Sequence, residues 1–403
     1  MISSYRPNTF LLFLFNQSDK SQFTMENILQ KIILNTTKAK QRVSKTAKWV
    51  SMALPLVCLS PDLIPPPIGS ADADEFSIVV IPDTQNYIQN LRGIANRQMF
   101  RDQISWIVAN QKKSNIVYVT QLGDLSQSIN MAKPGRDEKE ATLISEERFR
   151  ACDTIMRPLD LAKIPYGIAV GNHDQFPMAG DATGGSTELF HKWFINQGKG
   201  ISRFQGKAFL GGTREKGSYD DHYDVFKAGG RSWIVVYLEF DDDQEKNISD
   251  DEARNTWALE LLKKHADHTA ILVTHNAGNI TKKAFGRQAQ MIYDKVKTQP
   301  NLIMVLGGHV GNKKGDVNYF RTDRAGMSPV RTYISDFQSL SSDGTVEKTN
   351  GGNGYLRVMK FSVKNNTVKV STFSPYLMSR GEPNQFENAA PHQFQKPVFE
   401  GEE

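Results

Sequence analysis

Short apolar runs recur along the chain with amphipathic stretches between them, and this alternation sets the first expectation of fold. Residues 76–81 (FSIVVI), 116–120 (IVYVT), 166–170 (YGIAV), 233–238 (WIVVYL), 270–274 (AILVT) and 302–306 (LIMVL) have the length and β-branched content of buried strands. Residues 100–109, 146–161, 251–265 and 286–296 repeat apolar positions at helical spacing. Strands alternating with helices predict an α/β domain whose sheets are covered by helices. Toward the C-terminus the rhythm changes. Residues 330–334, 355–363 and 368–373 follow one another with no helix between them, and Asn365-Asn366 marks a hairpin turn. These three runs are expected to form a second sheet rich in antiparallel pairs. Two stretches, 127–145 and 175–230, read as long loops, and each begins directly after a polar block that could carry chemistry.

Three regions follow from this reading. Residues 1–73 are expected to be leader and linker, 74–378 the folded domain, and 379–403 a polar tail too poor in apolar residues to order itself. Inside the leader, the apolar run 49–59 follows Lys38, Lys40, Arg42, Lys45 and Lys48 and precedes Ala71-Asp72-Ala73. That is the pattern of a signal peptide, and it predicts a periplasmic or extracellular protein. A basic leader that is never cleaved is the other reading, with Met25 a second candidate start. No run reaches the ~20 apolar residues needed to cross a bilayer as a helix.

Net charge is +5, but residues 1–73 hold eight basic and four acidic residues, which leaves 41 basic and 40 acidic in the rest. So balanced a body shows no basic footprint for nucleic acid. Of two cysteines, Cys58 falls in the leader; with the leader removed, Cys152 is alone and reads as a small buried apolar residue.

Five polar blocks sit at or just beyond the apolar runs: Asp83-Thr84-Gln85, Gly123-Asp124, Gly171-Asn172-His173-Asp174, His275 and Gly308-His309. Open α/β sheets bind ligands at the carboxyl ends of their strands, so side chains from five strand ends can converge on one crevice. Asp83 and Asp124 offer carboxylate oxygens, Gln85 and Asn172 amide oxygens, His275 and His309 imidazole nitrogens. This mixed set suits Mn, Fe or Zn better than Ca or Mg. The run Asp241-Asp242-Asp243 reads as a solvated loop, and Trp106, Trp193, Trp233 and Trp257 as packing residues.

In their order, the blocks resemble the calcineurin-like metallophosphoesterase superfamily, whose pattern runs D-x-H, G-D-x-x-D, G-N-H-D/E, H, G-H-x-H. The likeness covers about residues 74–375. Ser335-Asp336-Phe337-Gln338, Gly351-Gly352-Asn353-Gly354-Tyr355-Leu356-Arg357 and Thr372-Phe373-Ser374-Pro375 resemble the tail of a bacterial, often exported branch, in which a D-T-Q first block is usual. The resemblance implies a two-sheet mixed sandwich flanked by helices, in four α/β/β/α layers. It also implies hydrolysis of phosphate mono- or diesters by a metal-activated hydroxide.

Carried over by position, the resemblance implies two divalent cations. One is assigned to Asp124, Asn172, His275 and His309; Asp124 bridges to the other, held by Asp83 and Gln85. The last histidine of the fifth block is Gly311 here, so the second position is short of a ligand: Asn312 or Asp316 substitutes, water fills the gap, or the cation binds loosely. The resemblance makes His173 the proton donor to the leaving oxygen. Gln127 stands where the family's general pattern has a carboxylate partner for that histidine, and adjacency makes Asp174 the candidate to orient it. His222, within 218–226, is a candidate to line the substrate pocket. The alternative from another class is a degenerate, non-catalytic protein that binds a phosphorylated ligand; a nuclease is disfavoured by the balanced body.

Overall fold

Along β1 (Glu75–Ile81) the side chains alternate between two buried faces, and this produces the layers. Phe76, Ile78 and Val80 share a core with Trp233, Val235 and Tyr237 of β6 (Arg231–Leu238), and the Phe76 and Trp233 rings meet edge to face at 5.5 Å. Val79 and Ile81 face the other way, into a core with Phe100 and Ile104 of one helix and Phe149 and Met156 of another. The computed structural model describes residues 74–91, 95–177, 185–241, 248–279, 281–311, 318–338, 350–388 and 390–399. The expectations for the leader, and for Asn312 and Asp316, lie outside them.

The helical elements are a short α1 (Gln85–Ile88), then α2 (Arg97–Asn110), α3 (Glu138–Leu161), α4 (Ile248–Lys264), α5 (Arg287–Val296) and α6 (Pro375–Ser379), with a π-helical turn at Phe190–Ile195. The first sheet runs β13 (Gln393–Pro397), β12 (Thr367–Phe373), β11 (Leu356–Ser362), β1, β2 (Ile116–Gln121), β3 (Tyr166–Ile168). The second runs β4 (Leu210–Thr213), β5 (His222–Ala228), β6, β7 (Thr269–Thr274), β8 (Leu302–Gly307), β10 (Met327–Ile334), β9 (Tyr319–Arg324). Strands β1, β2 and β3 are parallel, as are β6, β7, β8 and β10. Ala258, Leu261 and Leu262 of α4 and Ala289, Ile292 and Val296 of α5 cover the second sheet opposite its partner. The fold is the expected two-sheet mixed α/β sandwich flanked by helices.

Four local expectations are corrected. The three C-terminal runs do not share a sheet: β11 and β12 form the expected hairpin, with Asn366 at φ 52°, but extend the first sheet from β1, whereas β10 joins the second. Sheet membership depends on long-range pairing, which local periodicity does not encode. The stretch 127–145 is not all loop, because α3 begins at Glu138, capped by the Asp137 carboxylate, which accepts from the Glu140 amide at 2.8 Å. Its first turn is polar and exposed, so apolar spacing misses it. Residues 175–230 contain β4, β5 and the π-helical turn. Finally, part of the polar tail is ordered: β13 pairs antiparallel with β12, and the few apolar residues in and beside it, Phe394, Val398 and Phe399, pack into the core that holds Trp233. Among the described residues no helix is long and apolar enough to cross a membrane. Cys152 is buried, and burial raises its thiol far above the range of a reactive cysteine.

Candidate metal centre

The parallel strands of both sheets end at one crevice, and each block follows a strand by a few residues. Asp83 lies just past β1, Asp124 past β2, Asn172 past β3, His275 at the end of β7 and His309 past β8. Main-chain bonds tie these loops together: Thr84 N donates to Asp124 O at 3.0 Å, Gly308 N to His275 O at 2.9 Å and Ser335 N to Gly307 O at 2.9 Å. The Gln121 side chain braces the second loop, accepting from Gly123 N at 2.9 Å and donating to Gly123 O at 2.7 Å.

Glycines let the blocks close in. A Cβ on Gly123 would stand 2.5 Å from His275 Nδ1, one on Gly171 2.3 Å from Asp124 Oδ1, and one on Gly308 2.4 Å from Asp83 Oδ2. Asp124 and His309 themselves hold left-handed backbone, at φ 52° and 62°, a conformation that costs free energy and concentrates at functional sites.

The nitrogen and oxygen ligand atoms of Asp124, His275 and His309 all lie within 4.8 Å of one another. His275 Nδ1 bonds to Leu122 O at 2.8 Å, which fixes the ring and turns Nε2 toward Asp124 Oδ1 and Asn172 Oδ1, both at 3.2 Å, and Asp83 Oδ1 at 3.8 Å. Gln85 Nε2 donates to Asp124 Oδ2 at 3.0 Å, while Gln85 Oε1 is buried with no hydrogen-bond partner. The Phe240 ring closes one side, with its centroid 5.8 Å from that of His275 and 5.3 Å from that of His309.

The electrostatics favour a cation. Burial, Asp336 and Asp124 raise the Asp83 carboxyl well above its ordinary range against the opposing pull of His275 and the His309 amide. Burial opposes the Asp124 charge, yet the imidazoles of His275, His173 and His309 hold that carboxyl below the usual carboxylate range. Burial also pulls His275 down, but Asp124 and Asp83 outweigh it and push the imidazole up to about 10. His309 falls to about 4 through burial and the neighbouring His275. Closely packed carboxylates away from water repel one another, and a bound cation relieves that repulsion. An unpaired amide oxygen, a fixed imidazole nitrogen and glycines that admit close approach together fit a divalent ion of mixed oxygen and nitrogen preference.

His173 stands at the mouth. Its amide donates to Asp124 Oδ1 at 2.8 Å, its Nε2 is 4.0 Å from Asp124 Oδ2, and its Nδ1 is buried without a partner. Asp174 does not orient that ring. Its carboxylate accepts from the amides of Gly171 at 2.9 Å, Ser126 at 2.8 Å and Leu125 at 3.2 Å, so it clamps the second loop to the third. Adjacency in sequence says nothing about where a carboxylate points. His222 does not line the crevice either: it is buried, stacks on Tyr237 at 4.5 Å and bonds Tyr219 O through Nδ1 at 2.9 Å.

Asp336, which the sequence places only in a block resembling the tail of the bacterial branch, is a neighbour not among the predicted site residues. It is 8% exposed, follows β10, and is the charged group acting most strongly on Asp83. The available signal was its position just beyond a strand run, as for Asp83, but a lone aspartate after a strand is commonly a turn former.

No family model matches the chain. It is 31% identical over 309 residues to the "Uncharacterized protein YvnB" of Bacillus subtilis (strain 168), a match covering 76% of this chain and 20% of that protein. The chain thus spans about a fifth of the length of the curated relative it matches. Among solved structures it is similar to a dimetal phosphatase from Danio rerio, with TM-score 0.42 and 13% identity over 74% of this chain and 96% of that one. Another similar structure is GAP50, described as the anchor in the inner membrane complex of Plasmodium, with TM-score 0.44 and 9% identity over 80% of this chain and 88% of that one. A third is purple acid phosphatase PPD1 from yellow lupin (Lupinus luteus), with TM-score 0.41 and 11% identity over 81% of this chain and 54% of that one. Likenesses this distant leave the functional reading to the geometry of the crevice.

Proposed function

We propose that the chain is a metal-dependent phosphoesterase acting on phosphate mono- or diesters. The observation that carries this reading is the meeting of Asp124, His275 and His309, from three separate strand ends, within 4.8 Å in a buried crevice with Asp83, Gln85 and Asn172 around them. Asp124, Asn172, His275 and His309 would hold one divalent cation; Asp124, Asp83 and Gln85 would hold a second. Bound there, such ions supply Lewis acidity to phosphoryl oxygens and lower the pKa of a water toward neutrality. The protein's own part is to fix the ligands through Leu122 O and the interlocking loops, to exclude water with Phe240, and to present His173 at the opening. In this reading His173 gives a proton to the departing oxygen of the ester.

The second reading, a binding protein without turnover, is favoured by Gly311, which supplies no side chain where the resemblance calls for an imidazole. Metal content and hydrolysis of simple aryl phosphates separate the two. With Mn²⁺ supplied, the chain is expected to hydrolyse a mono- or bis-aryl phosphate. Asp124→Ala is expected to lower metal content and cut the rate by ~10² or more, because it removes charge stabilisation shared by both positions. Turnover unchanged in that variant would remove the reading.

A further inference from the structure

The second cation position need not be short of a ligand. We propose that Asp336 supplies the carboxylate that completes it, in the space that Gly311 leaves open by having no side chain. This inference rests on the metal-dependent reading above and deepens it.

Three observations carry it. A Cβ built on Gly311 would stand 2.6 Å from the Asp336 carbonyl oxygen and 3.5 Å from the Asp336 Cβ. Residue 311 is therefore packed against Asp336 so closely that a side chain there would displace it. An imidazole at 311 and the present path of Asp336 exclude each other, and glycine at 311 is the condition for Asp336 to sit where it does. Second, Asp336 has the same relation to its strand as Asp83 and His309 have to theirs: β1 ends at Ile81, β8 at Gly307 and β10 at Ile334, and the functional side chain comes two residues later. Because β10 lies parallel beside β8, its C-terminal end opens into the same crevice. Third, the Gln85 Oε1 atom is buried and unpaired although its own Nε2 is bonded to Asp124, so an oxygen donor of the second position already lacks a partner there.

The Asp336 carboxylate is held in place rather than free to swing: its Oδ1 accepts from the Gln338 amide at 2.9 Å. The second position would then be an oxygen site, made by Asp83, Asp124, Asp336 and Gln85, while the first keeps both imidazoles. Such a division favours a harder ion at the second position than at the first.

The test is metal stoichiometry in the full chain. Wild-type protein loaded with Mn²⁺ and freed of excess metal is expected to carry two ions per chain and to show the electron paramagnetic resonance signal of a coupled pair. Asp336→Ala, which offers no ligand atom, is expected to retain about one ion, with the signal of an isolated Mn²⁺. Retention of that one ion shows that the fold and the Asp124, His275, His309 set survive. Gly311→Ala changes no ligand residue but displaces Asp336 by pressing on its carbonyl, and it is expected to lower the second occupancy alone. Two ions retained by Asp336→Ala would overturn the inference while leaving the phosphoesterase reading intact, as would a wild-type chain that turns over aryl phosphate with one ion. Loss of both ions from both variants would overturn the separate role given to Asp336. A wild-type chain that binds no metal and has no turnover would remove the inference together with the reading on which it rests.

Discussion

His173 is fixed by its main chain but not by its ring. Its amide is pinned to Asp124, while Nδ1 has no partner and about a third of the side chain meets solvent, at 30% exposure. A general acid in that position is expected to act on the departing group and not on the cations. His173→Ala should therefore keep wild-type metal content and lose ~10² to 10⁴ in rate, most for esters whose leaving groups are poor. Rates measured across aryl phosphates of graded leaving-group acidity check this; an equal loss for all of them would remove the acid role. The candidate ligands were legible in the sequence because each stands in a short block directly after an apolar run, where the strand's end dictates where the side chain goes. Asp174 was legible as important but not in its role, since three backbone amides from distant residues claim its carboxylate. Asp336 was legible only as part of a block resembling the tail of the bacterial branch; its place beside the crevice comes from β10 lying beside β8, a pairing between segments that no local pattern announces.

At the scale of elements, the strands lining the crevice were legible because burial on both faces forces continuous apolar runs such as 270–274 and 302–306. Elements with an exposed face were harder. The start of α3 shows the reason: residues 138–140 are Glu, Lys and Glu, and only the cap chemistry of Asp137 with acidic residues in the first turn announces a helix. That cap gives a prediction at this scale. Asp137→Ala removes the acceptor for the Glu140 amide and is expected to cost about 1 kcal/mol of stability. Metal content should not change, since the cap is exposed and stands at the first turn of α3, ahead of Phe149 and Cys152 in mid-helix, which meet the core. Denaturant unfolding alongside metal analysis checks both halves; a variant as stable as wild type would mean that the first turn of α3 is held by something other than its cap.

For the whole molecule, two sheets pressed face to face bury a polar layer as well as an apolar one, and His222 belongs to that layer. It lies on β5 with 2% exposure, and burial pushes its imidazole down to about 4 from an ordinary 6.5, against the weaker opposing effects of the Tyr219 carbonyl and Asp221. The folded protein therefore holds His222 neutral at a pH where the unfolded chain would protonate it. Between 6.5 and about 4 the unfolded state binds more protons at this residue, so its contribution to stability falls as pH falls through that window and is level below it. The full difference is on the order of 3 kcal/mol. Other groups titrate in the same range, so the informative quantity is a difference between two proteins. His222→Phe keeps a ring against Tyr237, loses the bond to Tyr219 and cannot be protonated. Unfolding of both proteins in chelator at pH 7 and at pH 4 is expected to show wild type losing more stability than the variant over that span. Chelator keeps the loss of bound cations at acid pH from contributing to the comparison. Equal losses in the two proteins would mean that His222 reaches solvent in the folded state and that the layer between the sheets is wetter than its burial implies.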